Sequence, residues 1–259
     1  PGKPPRVDWT VEKSAGAEDV ALDVQTLEGF LRCVDAYDEL TLFADRQVQR
    51  LYEGLEALQL PGRTLWVVTA DHGEGLASHG IAGHGSRIYQ EQLHVPLVLH
   101  ASDGSLAPRV VEELVAHVDL LPTLAETLGA RVRGHERVYD GRSLWPLVRA
   151  QGAAWPARAL FAQRRPAENA NDPDQTEIYA LQTAGAKYIL HEPGVDEFFD
   201  LAADPRELQD LGQDAAAATE LRATLEQRLT ILRGIMRSAA GEPVPEEWMD
   251  ELRDLGYVR

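Results

Sequence analysis

The chain carries a single cysteine, Cys33, only two methionines and few aromatic residues, and its 25 lysines and arginines are outnumbered by 42 acidic residues. One cysteine excludes an intrachain disulfide and a thiolate metal cluster. The formal charge of -17 excludes the clustered cationic surface with which a protein tracks nucleic-acid phosphates or an anionic membrane. An anionic substrate would therefore need a local cationic site. No apolar run is long enough to cross a bilayer, and the opening PGKPPRVDWTVEK lacks the apolar centre of a signal peptide. Localisation stays open: cytoplasmic as the chain stands, periplasmic or secreted if the full protein carries an export signal ahead of Pro1.

What is present suffices for a substantial core, since 44% of the 259 residues are apolar. The Pro-rich opening reads as an extended connector, and Glu18 to Leu31 as a first helix or a lid-like loop. From Asp35 to Leu60, Tyr37, Leu40, Ala44, Val48, Leu51, Leu55 and Leu58 recur at three- and four-residue steps. This spacing predicts one long amphipathic helix, stopped by Pro61-Gly62. Leu65 to Ala70 is too apolar for a half-solvated strand and predicts a central strand of a parallel sheet. His94 to His100 predicts a second strand and Leu114 to Val118 a third, followed by a helix over Asp119 to Leu128 with Gly129 as its stop. After Val148 the pattern turns to short strands, Leu160 to Arg165, Glu177 to Leu181 and Lys187 to His191, the last two joined across Thr183-Ala184-Gly185-Ala186. That is hairpin patterning, and it predicts an antiparallel carboxyl-terminal subdomain. Helices are expected over Ala215 to Met236 and Glu246 to Leu255.

The richest stretch is Thr64 to His84, TLWVVTADHGEGLASHGIAGH, which holds three of the eight histidines. An acid and an imidazole at the carboxyl end of a strand lie where open α/β sheets place their chemistry. Asp71 and His72 are the donor types that borderline divalent cations take, and Gly73 lets the backbone turn away without a Cβ clash. The plainer reading is an Asx turn carrying a surface histidine; the glycines at 73, 75, 80, 83 and 85 favour the site. His79 and His84 are each followed by glycine, in a loop with too little apolar material to bury them. Either could protonate a leaving oxygen or hold an anionic one as imidazolium. Cys33 reads as an inert buried thiol. The charged runs Glu207 to Asp214 and Glu246 to Arg253 read as solvated helix faces and caps.

In order along the chain, TLWVVTADHGEGLASHGIAGHGSRIYQEQLHVPLVLH, HVDLLPTLAETLG, GRSLWPLV, EFFDLAADPRELQDL and LRDLGYV resemble the successive motifs of the sulfatase family of the alkaline phosphatase superfamily. The resemblance implies an α/β fold, an alkaline-phosphatase-like αβα sandwich present in part. Residues 1–150 would form the carboxyl-terminal part of the catalytic α/β domain, and residues 151–259 a small antiparallel subdomain with terminal helices. It implies that Asp71 and His72 ligate a divalent metal, calcium ahead of manganese, magnesium or zinc. It places His84 where relatives contact the transferred sulfuryl or phosphoryl group, with His79 as the second catalytic candidate.

One departure bears on mechanism. Members of that family carry an amino-terminal Asp-Asp metal pair and a Cys/Ser-x-Pro/Ala-x-Arg nucleophile motif, and neither is recognisable here. Cys33 is followed by Asp35 and Tyr37 where proline and arginine are required. Ser105-Leu106-Ala107-Pro108-Arg109 meets the loose pattern, but it lies after the ligand strand on what reads as a surface turn. The expectation is a carboxyl-terminal portion of a longer sulfatase, whose partner is a preceding segment of the same fold. Its substrate would be a sulfate-ester small molecule or a sulfated glycan. Two competitors stand beside it: a phosphate mono- or diester hydrolase or phospho-transferase of the same superfamily, and a catalytically inert binding or assembly module.

Overall fold

The computed structural model describes residues 27–59, 61–76, 78–80, 82–130, 141–149, 155–165, 177–212 and 216–239. The predicted connector, the segment before Leu27 and the helix predicted over Glu246 to Leu255 lie outside these residues. The chain divides into two compact units, Pro1–Arg63 and Thr64–Arg259. Among the described residues, no helix is long and apolar enough to cross a membrane.

The first unit is represented by one helix, α1 (Leu27–Ala57). It begins eight residues before the predicted Asp35 and takes in the end of the segment read as helix or lid. Glu28 and Arg32 pair at 2.8 Å one turn apart in its first turns. At its end Gln59 adopts a φ of 47°, the left-handed conformation that ends helices, and Pro61 follows. The predicted apolar stripe is present, and Leu40, Leu51 and Leu58 are all more than half exposed.

The second unit begins with β1 (Leu65–Thr69), paired to β4 (Leu97–Ala101) from Leu65↔Ala101 to Thr69↔Leu97. Both strands were expected, but the pairing is antiparallel, and β1 is half-buried rather than enclosed. An apolar run reports how much surface wants cover, not the direction of its neighbour. Between them lie a two-residue ribbon, β2 (Gly75–Leu76) with β3 (Ala82–Gly83), and the short helix α2 (Gln90–Leu93). The third predicted strand is absent. Ala116 is extended, but the chain turns at once into a 3-10 helix, His117–Asp119, because Asp119 accepts the Ala116 amide at 2.8 Å and folds the segment back.

The helix that follows, α3 (Leu120–Thr127), ends where expected. Gly129 has a φ of 60°, and the Ala130 and Gly129 amides donate back to Ala125 and Glu126, the 6→1 and 5→2 bonds of a left-handed glycine stop. Two motifs far apart in sequence become one knot here. The buried Asp119 carboxylate accepts the Arg142 amide at 2.7 Å and accepts from both terminal guanidinium nitrogens of Arg158. Thr123 Oγ1 donates to the Asp119 carbonyl and accepts the Leu144 amide at 2.8 Å, just before α4 (Trp145–Val148).

The carboxyl-terminal sheet is an antiparallel meander of β5 (Leu160–Arg164), β6 (Glu177–Gln182), β7 (Ala186–Glu192) and β8 (Glu197–Asp200). Thr183 and Ala186 close the β6–β7 turn as predicted, the Thr183 amide donating to the Ala186 carbonyl at 2.8 Å. Period-two alternation divides the core. Tyr179, Leu181, Tyr188, Leu190 and Phe198 pack under α5 (Ala216–Ala239) through Ala218, Leu225 and Leu229. On the opposite face Ile178, Ala180, Ile189 and Phe199 pack against Ile88 and Tyr89, at the end of the histidine-rich loop. The sheet thus backs that loop.

Candidate functional site

Asp71 and His72 follow β1 after a single residue, Ala70, so a laddered strand sets where they start. The Asp71 carboxylate accepts the His72 amide at 3.0 Å, and that amide, then the neighbouring imidazole, hold its carboxyl below the ordinary aspartate value. Asp71 stays ionised and open to solvent. The His72 ring is fixed by its own backbone: Nδ1 lies 2.8 Å from the Gly73 carbonyl, which can only accept, so Nδ1 carries the hydrogen. Nε2 faces the other way, 3.7 Å from Asp71 Oδ2. A ring nitrogen anchored on a carbonyl with its partner nitrogen free is the arrangement of metal-binding histidines. Asp71 and His72 are thus a pair of donor types that a divalent ion accepts. Among the described residues, no group of three or more His, Cys, Asp or Glu side chains is disposed to hold a metal.

Gly73 is required by contact, not by its dihedral. Its amide donates to the Gln92 carbonyl at 2.9 Å, and a Cβ on it would stand 2.0 Å from the Glu91 carbonyl oxygen. No side chain fits there.

His84 is delivered by the β2–β3 ribbon, whose Gly75↔Gly83 pairing sets residue 74 beside residue 84. Glu74 Oε2 lies 3.0 Å from His84 Nδ1, which orients the ring with Nε2 outward. The His84 and His72 rings lie 4.1 Å apart between centroids. Asp71, His72, Glu74 and His84 form one cluster at the end of β1. Sequence reasoning missed Glu74, although its place before a glycine, ten residues upstream of His84 in a glycine-punctuated hairpin, is a usable signal. Its other oxygen, Oε1, is buried without a hydrogen-bond partner.

His79 is placed elsewhere. Its side chain is 12% exposed, not the solvated loop residue its apolar-poor surroundings suggested. Nδ1 meets Glu91 Oε1 at 2.7 Å and Nε2 meets the Glu207 carbonyl at 2.8 Å. Glu207 corrects another expectation: it was read as part of a solvated helix face, yet it is fully buried, with its carboxylate 2.8 Å from the buried ammonium of Lys187. The correction is physical, since a charge run says nothing about an opposing charge contributed by a distant strand. Cys33 is a free, partly buried thiol on α1, and Ser105 sits in an Asx turn, its amide on Asp103 at 3.0 Å.

A family model described as Sulfatase matches residues 6–130. Another, described as N-sulphoglucosamine sulphohydrolase, C-terminal, matches residues 84–234. The Delta 4,5-hexuronate-2-O-sulfatase of Bacteroides thetaiotaomicron is 24% identical over 225 residues, 82% of this chain and 44% of that protein. The multifunctional alkaline phosphatase superfamily protein PehA of Trinickia caryophylli is 28% identical over 214 residues, 78% of this chain and 41% of that protein. The solved structure of a 2-O GAG sulfatase superposes with a TM-score of 0.68 at 26% identity, over 82% of this chain and 46% of that one.

The fold is thus of the alkaline-phosphatase-like α/β class. The chain belongs to the sulfatase family, and it spans less than half the length of the relatives it matches.

Proposed function

We propose that this chain is part of a sulfatase-type hydrolase of sulfate esters, and that the cluster of Asp71, His72, Glu74 and His84 is its contribution to the active site. The observation that carries this reading is the convergence of that cluster at the carboxyl end of β1. Asp71 and His72 would hold a divalent cation, calcium in the first instance. When bound, such an ion stabilises the negative charge on the sulfate oxygens as the S–O bond breaks.

The protein's own groups have separable tasks. Glu74 accepts from His84 Nδ1–H and sets the ring's orientation, as a carboxylate does for a general acid–base histidine. His84 Nε2, on the exposed side of the ring, can hold a sulfate oxygen or deliver a proton to the leaving alkoxide as it departs from sulfur. His79 is the weaker catalytic candidate, because both its nitrogens are taken. The nucleophile attacking sulfur, and the remaining oxygen donors that a hard cation wants, would come from a further segment of the same fold. Uncovered apolar surface supports such a partner: Val98, Val110, Leu121 and Leu128 are exposed, and an open cleft of about 1280 Å³ beside β4 is lined by Val98, Val115, Leu144 and Phe161. Asp71, His72, Glu74 and His84 do not line that cleft. A sulfated glycan or small sulfate ester is the proposed substrate.

The relative from Trinickia, a multifunctional member of the alkaline phosphatase superfamily, keeps phosphate esters as the second reading. The test is hydrolysis of 4-nitrophenyl sulfate and 4-nitrophenyl phosphate by the full-length protein that carries this segment. Sulfate turnover lost in both Asp71→Ala and His84→Ala supports the first reading. Phosphate turnover alone selects the second, and wild-type sulfate turnover in both variants removes the cluster from the mechanism. The chain by itself is expected to be inactive on either ester.

A further inference from the structure

The glycine-rich loop that presents His84 is poorly packed. A Cβ on Gly80 or Gly85 would meet nothing within 4 Å, so apolar contact does little to fix the backbone there. Polar anchors hold it instead: Gly85 is bonded to Gln92 and Arg164 at one end of the loop, and His79 anchors its middle. Its two ring nitrogens face a carboxylate oxygen and a carbonyl oxygen, at 2.7 and 2.8 Å. A carbonyl accepts and never donates, and an ionised carboxylate likewise. Both bonds form together only if both nitrogens carry hydrogen, which makes the ring an imidazolium.

The surroundings suit a cation. Tyr89 stacks on the ring at 3.8 Å between centroids with 10° between planes, presenting a negative π face. The charged and titratable groups around it come from every neighbouring element: Glu91 of α2, Glu207 of the turn after β8, Lys187 of β7 paired to Glu207, and Glu197 of β8, which accepts from Tyr89 Oη at 2.7 Å and pairs with His191. Glu207 aims its carbonyl at His79 from a left-handed backbone, φ 56°. Its carboxylate meanwhile accepts the Gln90 amide at 2.6 Å, and the Lys187 ammonium donates to the Ile88 carbonyl at 2.6 Å. One buried acid thus ties His79, α2 and the carboxyl-terminal sheet together.

We propose that His79 is a positioning residue that works as a cationic latch: its imidazolium, gripped by Glu91 and the Glu207 carbonyl, holds the loop carrying Glu74 and His84 onto the carboxyl-terminal sheet. The consequence for the site rests on His84 acting there; the latch itself does not. Burial works against the charged ring, but the Glu207 carbonyl and the Glu91 carboxylate outweigh it and raise its pKa above the ordinary histidine value. The sign follows: the latch is complete below about pH 6.5, and it is lost as pH rises through the raised folded value.

The decisive measurement is on the whole chain, by 15N correlation spectra of the histidine rings with His79 assigned through His79→Phe. Both His79 nitrogens are expected to be mainly protonated at about pH 6.5, where an ordinary histidine with a pKa of about 6.5 is half neutral. A neutral tautomer there, with one bare nitrogen, overturns the proposal. Hydrogen exchange gives the second readout. His79→Phe keeps a ring against Tyr89 but removes both donors, and should speed exchange of the amides of residues 78–80 and 82–84 at least tenfold while those of 179–190 stay protected. Unchanged loop protection overturns the latch. Should that variant unfold, Glu91→Gln replaces it: an amide oxygen can still accept from Nδ1, so the fold is kept while the His79 titration moves to lower pH. A titration that does not move overturns the proposal. None of these readouts requires turnover, so an inactive site with an intact latch would count against the functional reading alone.

Discussion

Gly73 and Glu91 touch backbone to backbone, so closely that a Cβ on the glycine would lie 2.0 Å from the glutamate carbonyl oxygen. The contact docks the Asp71-His72 turn on α2, whose Glu91 side chain grips His79 from its other end. Gly73→Ala should therefore cost about 1–3 kcal/mol as an overpacked contact, read as a lower urea midpoint at unchanged slope. Gly104→Ala, with open space around it but a φ of 70°, should cost only the left-handed backbone penalty of about 1 kcal/mol. Equal losses would refute the packing argument.

Asp119 predicts an acid-sensitive knot. Burial alone would raise its carboxyl, but Arg158 and the Arg142 and Ala116 amides hold it below the ordinary aspartate value. A depressed carboxyl stabilises the fold above the unfolded pKa of about 3.9, and that stability is lost as pH falls through the folded value. Asp119→Ala should cost about 3–5 kcal/mol by leaving Arg158 buried and unpaired. It should also flatten the loss of thermal stability below about pH 4. A variant as acid-labile as the parent would show that other carboxylates set the acid limit.

The Lys187–Glu207 pair, fully buried on both sides, predicts strong coupling. Lys187→Met alone should destabilise by about 3–5 kcal/mol because an uncompensated carboxylate remains. Adding Glu207→Gln, which keeps an acceptor for the Gln90 amide, should restore part of that loss. A double-mutant cycle by denaturant unfolding checks it, and a coupling energy below about 0.5 kcal/mol would mean the two charges are independently solvated.

Two donors bind a hard cation weakly. Calorimetric titration of the chain with calcium should give a dissociation constant no tighter than about 10⁻⁴ M, the weak end of protein calcium sites. His72→Ala should abolish even that. Micromolar binding would reveal oxygen donors beyond Asp71 and His72.

Legibility followed the range of the interaction. The β6–β7 hairpin was readable because its signals, alternation and a four-residue turn, are adjacent in the chain, and the same holds for α3 and its Gly129 stop. Leu114 to Val118 was misread as a strand because β-branched composition cannot report whether a ladder partner exists; Asp119 turns the segment into a 3-10 helix instead. β1 was found at its residues but assigned the wrong neighbour direction, since direction depends on β4. In the candidate cluster, Asp71, His72 and His84 are singled out by residue type and glycine punctuation, whereas Glu74 joins them only through the Gly75↔Gly83 pairing.

His79 and His84 mark the boundary most clearly. By sequence alone they are near-equivalents, five residues apart and each followed by glycine. The amino-acid order determines that both are present, that the surrounding loop bends freely and that a strand delivers Asp71 and His72 ahead of them. It also determines the apolar alternation of the sheet that backs the loop. Which histidine faces outward is decided by a carbonyl 128 residues downstream of His79 and by a buried Lys187–Glu207 pair. Those contacts are tertiary because a hydrogen bond depends on where its partner lies in space, and no local pattern along the chain encodes that distance.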